Sequence, residues 1–152
     1  MRKKGIGIIL AVVLALVLAA CGSKELEERV FETEQSGVKS TITYFHEGDK
    51  VKKQTAESVV PYEALGIAGK EDAQALFDPE AEKFKGIDGI KHEIKYTDSE
   101  VIENLEINYD DLDFDKAKGL PGVTFEGDAE EKGVSMEKSA EMIKKQGFTE
   151  KE

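Results

Sequence analysis

Residues 6–20 form an unbroken apolar stretch without a charge, and from Arg29 onward the chain changes to short segments in which apolar and polar positions alternate. The stretch 38–45 is rich in β-branched and aromatic residues, and Glu47-Gly48-Asp49 supplies a hairpin turn into a second run from Lys50 towards Val60. This pattern predicts a β-hairpin preceded by a strand over 29–35. Pro61 and the cluster Tyr62-Glu63-Ala64-Leu65-Gly66 predict one turn of helix stopped by glycine. Ala73, Leu76, Phe77, Ala81 and Phe84 then recur at steps of three and four, which is one face of a helix over about 70–85. Pro79 falls inside that span. It either kinks the helix or restarts it with Asp78 as N-cap, because proline has no amide hydrogen to donate.

After Gly86 and Gly89 the alternation returns, with Ile90, His92, Ile94 and Tyr96 on one face and Lys91, Glu93 and Lys95 on the other. A polar turn near Thr97-Asp98-Ser99-Glu100 leads into Val101, Leu105, Ile107 and Tyr109, evenly spaced apart from Glu103. This second hairpin is the clearest strand signal in the chain. Residues 116–133 are glycine-bearing and charged, with at most a short strand at Val123-Thr124-Phe125. Ser135 can cap a helix carrying Met136, Ala140 and Ile143 on one face, and Gly147 stops it, with Phe148 placed to fold back on Ile143. Hairpins, a helix, another hairpin and a closing helix describe an α+β domain, an antiparallel sheet built from hairpins with helices packed on one face.

The apolar run near the amino terminus follows the basic segment Met1-Arg2-Lys3-Lys4, the order of an export signal. As a helix, residues 6–20 would span only ~22 Å, against ~30 Å of bilayer hydrocarbon. Leu18-Ala19-Ala20 runs directly into Cys21, the one cysteine of the chain. That sequence resembles the lipobox of bacterial lipoproteins, in which the cysteine receives a diacylglyceryl group and becomes the first residue after cleavage. The resemblance implies lipidation at Cys21 and a domain anchored on the outer, extracytoplasmic face of the cell membrane. Two acyl chains on one residue give a stable anchor where one chain holds only marginally. The expected organisation is a signal peptide over 1–20, a polar tether over 21–28 and a single α+β domain over 29–152.

Charge narrows the possible partners. Loss of Arg2, Lys3 and Lys4 with the signal takes the formal charge from −11 to −14. Such a surface repels nucleic-acid phosphates and gives no electrostatic grip on anionic lipid, so membrane contact falls to the lipid on Cys21. With Cys21 modified no thiol remains for a disulfide or a thiolate metal site.

Candidate chemistry is sparse. Asp111, Asp113 and Asp115 stand at every second position, as the acids that open a calcium loop do. Lys116 then occupies the place of the sharp-turn glycine and Gly122 that of the closing bidentate glutamate, so the favoured reading has Leu112 and Phe114 packing inward while one of the acids caps a short helix. His46 and His92 are the two histidines; neither has a second histidine at ligand spacing. His92 is expected at an edge of the apolar face and His46 beside a turn. No serine stands in a Gly-x-Ser-x-Gly elbow, and Gly66-Ile67-Ala68-Gly69-Lys70 lacks the length and the hydroxyl of a phosphate loop. The sequence thus names no catalytic residue, metal or cofactor, and the 116–133 segment is the best place for a partner surface.

The order of elements, Gly89-Ile90 before a strand, the strand end at Tyr109-Asp110-Asp111 and the terminal Lys145-Gln146-Gly147-Phe148 together resemble the YehR-like family of small bacterial lipoproteins. The family is a domain of unknown function, so the resemblance implies fold and address and no chemistry. The expectation is a non-enzymatic binding or accessory module in the envelope, with an envelope protein as a possible partner. Two alternatives are an envelope hydrolase using a carboxylate pair and a metal-handling lipoprotein in which His46 or His92 converges on carboxylates.

Overall fold

The computed structural model describes residues 25–152; the signal segment and Cys21 lie outside the described residues. A long β-meander opens the domain: β1 (Glu27–Gln35), β2 (Val38–Glu47) and β3 (Lys50–Pro61). Two helices follow, α1 (Tyr62–Leu65) and α2 (Lys70–Glu82), and then the second hairpin, β4 (Ile90–Tyr96) and β5 (Glu100–Asn108). Short helices α3 (Phe114–Ala117) and α4 (Ala129–Lys132) lead through β6 (Val134–Ser135) to α5 (Met136–Lys145) and β7 (Thr149–Glu150).

All the strand pairs are antiparallel, in the order β4-β5-β3-β2-β1-β7, with β6 added to the start of β3. The register places Phe31, Ile42, Ala56, Leu105 and His92 side by side in one row. Since directly opposed residues share a face, this row marks the side that the helices cover, as the alternation predicts. Phe31, Val51 and Ile107 are wholly buried there, in one cluster with Met136, Ala140 and Ile143 of α5. A smaller cluster, Val60, Tyr62, Ala73 and Val101, closes the end under α1 and α2. Thr43, Thr55, Glu106 and Lys91 share a row on the other, uncovered face.

Several expectations need correction. Strand β1 starts at Glu27, so Glu27 and Glu28, read as tether, pair with His46 and Phe45. Helix α2 continues through Pro79 to Glu82 without restarting, and Asp78, free of a capping role, accepts a hydrogen bond from the Tyr96 hydroxyl at 2.6 Å. Leu76 is 53% exposed, because Ala73 and Phe77 already fill the narrow face of α2 turned to the sheet. No strand forms at Val123-Thr124-Phe125. The Val123 amide instead closes a turn on the Leu120 carbonyl, between Gly119 and Gly122 at positive φ. Val123 and Phe125 pack onto the core from that turn, and the Phe125 ring stands edge-on to Phe114 at 5.1 Å between centroids.

Candidate functional site

The second hairpin sits at the sheet edge and α2 runs beside it, leaving a groove of about 580 Å³ between helix and edge strand. Asp78 and Glu82 of α2, with Lys85 just beyond it, form one wall, and Ile90, Ile94 and Tyr96 of β4 the other. At its floor the His92 ring stacks on Phe84, with centroids 4.2 Å apart and planes 25° from parallel. His92 Nε2 lies 2.7 Å from Glu103 Oε1, and the His92 side chain is 4% exposed. Glu103 is the one residue that breaks the apolar spacing of β5, and the break has a cause: it satisfies the ring nitrogen of a histidine buried on the neighbouring strand. At the far end the Tyr96 hydroxyl, bonded to Asp78, is pushed well above the usual phenol range, mainly by burial and then by that carboxylate.

The aspartates read against a calcium loop go to separate partners. Asp111 accepts from Asn108 Nδ2 at 2.6 Å, and Asp115 pairs with Lys118 at 3.0 Å. Asp113 caps α3 through the Lys116 amide and also pairs with the Lys116 ammonium, which holds its carboxyl below the ordinary range. Leu112 is buried and Phe114 packs on the core, so this alternation is an inward-facing one.

His46 is buried rather than simply beside a turn: it is 7% exposed, on the covered face, with Nδ1 at 2.8 Å from the Gly48 carbonyl. The strand order sets β2 three strands from β4, about 14 Å at the usual spacing, so His46 and His92 serve no common ion. Among the described residues no three His, Cys, Asp or Glu side chains converge on a metal position.

Other junctions were not foreseen from sequence. A register shift at Phe45/His46 swings the β2–β3 turn onto the start of α5. There Asp49 accepts from the Ser135 hydroxyl at 2.8 Å and the Glu137 amide at 2.9 Å, which lowers its pKa. At the opposite sheet edge Glu150 on β7 receives Arg29 Nε and Lys144 Nζ, each at 2.6 Å, and its carboxyl falls to about 2. Inside the core Tyr109 donates to Gln54 Oε1 at 2.8 Å, so both polar ends are paired where water does not reach.

Residues 27–149 match a family model described as a protein of unknown function, DUF1307. The chain is 43% identical over 150 residues to an uncharacterized lipoprotein of Listeria monocytogenes, Lmo0207, covering 99% of this chain and 97% of that one. It is 34% identical over 148 residues to the uncharacterized lipoprotein YehR of Escherichia coli, covering 97% and 96%. The NMR structure of E. coli YehR superposes with a TM-score of 0.72 at 33% identity, over 85% of this chain and 92% of that one. An NMR structure of a protein from Streptococcus pneumoniae shares the fold, with a TM-score of 0.59 at 17% identity over 99% and 97% of the two chains. By both its family match and its near full-length relatives, the chain belongs to the DUF1307 family, whose YehR-like members are lipoproteins.

Proposed function

We propose that this protein is anchored by a diacylglyceryl group on Cys21 to the extracytoplasmic face of the cell membrane, and that its domain is a non-enzymatic binding or accessory module of the envelope. The observation that carries the first half is the lipoprotein character of relatives spanning nearly the whole chain, Cys21 region included. Among the described residues no helix is long and apolar enough to cross a membrane, which agrees with attachment by lipid. Strand β1 begins six residues after Cys21, so a fully extended connection reaches at most about 20 Å.

The second half rests on the state of the acids. Asp49, Glu106, Asp113, Asp128 and Glu150 all have lowered pKa values, each held ionised by lysine, arginine, hydroxyl or backbone N–H partners. A general acid for glycoside hydrolysis needs the opposite shift, so these groups suit structural pairing. The open groove beside β4 suits the capture of a partner.

Intact mass spectrometry of membrane-extracted protein tests the anchor. The expected polypeptide starts at Cys21 and carries the added mass of a lipid. Replacement Cys21→Ser is expected to abolish both processing and fractionation with membranes. A mature chain starting elsewhere, or a bare thiol at Cys21, overturns it.

A further inference from the structure

Strand β4 forms one edge of the sheet. The Asn108 amide donates to the Gly89 carbonyl at 2.7 Å, and the Thr97 amide to the Glu100 carbonyl at 2.9 Å. Hydrogen-bonded pairs alternate along an antiparallel ladder, so Lys91, Glu93 and Lys95 direct their backbone groups at β5, while His92, Ile94 and Tyr96 direct theirs outward. Strand β4 pairs with β5 alone, which leaves that outward row unmatched among the described residues. The other sheet edge differs: β7 covers Phe31 and Glu32 of β1, and the Lys151 amide bonds the Val30 carbonyl.

Side chains along this edge specify more than a generic strand. Lys91, Glu93 and Lys95 stand in a row on the uncovered face and are all exposed, with Lys91 also donating to Glu106 of β5 at 2.9 Å. Ile94 and Tyr96, on the opposite side, border the groove walled by Asp78 and Glu82. Lysines on an edge ordinarily repel indiscriminate pairing, and a basic-acidic-basic row admits a strand that opposes it with acidic-basic-acidic.

We propose that the β4 edge and the α2–β4 groove bind an extended segment of a partner protein by strand addition. The guest alternates apolar residues, facing the groove, with an acid-base-acid triplet facing Lys91, Glu93 and Lys95. This deepens the binding-module reading and rests on it. A second copy of this chain is a poor occupant, because two bodies of charge −14 repel one another. An incoming backbone satisfies the outward groups of His92, Ile94 and Tyr96, and cross-strand charge pairs set its register.

The test is an NMR titration of the full chain in lipid bicelles with the peptide Thr-Glu-Val-Lys-Val-Glu-Thr and with its charge-reversed form Thr-Lys-Val-Glu-Val-Lys-Thr. The first peptide is expected to shift and protect from exchange the amides of His92, Ile94 and Tyr96, and to bind about tenfold more tightly than the second. In the double variant Glu93→Lys, Lys95→Glu, at two exposed positions, the preference is expected to invert. The proposal is overturned if those amides stay unmoved at millimolar peptide, if the shifts fall on another surface, or if the variant keeps the original preference. It is also overturned if they shift with protein concentration alone, which would identify a second copy as the occupant. Lipid mass on Cys21 is read independently, so failure of the anchor and failure of the edge site are told apart.

Discussion

At single positions the structure turns sequence patterns into energies. Gly89, at φ +81°, is where β4 meets the chain after β5: a Cβ there would lie 2.6 Å from Leu112 Cα and 2.7 Å from the Asn108 carbonyl oxygen. Gly66 also has positive φ but faces open space. Gly89→Ala is therefore expected to cost about 3 kcal/mol or more, and Gly66→Ala about 1 kcal/mol, in urea unfolding. His92 and Glu103 are predicted to behave as one unit. Either single change to leucine strands a polar partner on the covered face and costs about 1–3 kcal/mol, whereas the double change costs less than the sum, as a double-mutant cycle would measure. Glu150 supplies an acid dependence. Its folded pKa of about 2 lies below its ordinary 4.5, so its stabilisation is full above the ordinary value and is lost as pH falls towards 2. Glu150→Gln is expected to flatten the decline in melting temperature over that window.

Among the elements, those whose pattern has a strict period were legible and those held by long-range polar contacts were not. Both hairpins and α5, with its Ser135 cap, follow from alternation, turn residues and three-four spacing, because burial on one face imposes those periods directly. The inward Leu112 was readable for the same reason, and a helix cap was readable among the three aspartates, though which of them it is, Asp113, comes from the structure. Glu103 was visible as an anomaly, but its partner on another strand depended on register. The path of α2 through Pro79 was ambiguous locally and is decided by packing: Phe77 and Phe84, on either side of the proline, are both held against the sheet side. Helix interiors lose a hydrogen bond at proline, so Pro79→Ala is expected to stabilise the domain by about 1 kcal/mol after the gain in unfolded-chain freedom is deducted, a rise measurable by calorimetry. Within 116–133 the alternation of Val123 and Phe125 allowed at most a short strand, and in the structure turns with left-handed Gly119 and Gly122 hold the two side chains there without a neighbouring strand.

For the molecule as a whole, direction matters. Strand β1 enters at Glu27 beside the Glu47-Gly48-Asp49 turn, whereas the β1–β2 turn at Ser36-Gly37 lies at the other end of a strand of 10 residues, about 30 Å away. Anchored through Cys21, the domain is expected to keep the first turn near the bilayer and the second away from it. Spin-labelled lipid should broaden Gly48 more strongly than Gly37. The two flanks of the sheet are also unequal, one covered at its centre by β7 and the other, among the described residues, without a neighbouring strand along β4. In the proposed arrangement a guest strand extends the sheet beyond β4, while on the other flank β7 interrupts the outer row of β1 at Phe31 and Glu32. Edge-to-edge growth from one sheet to the next would thus have to pass a two-residue strand, a short and interrupted edge of the kind that discourages such pairing.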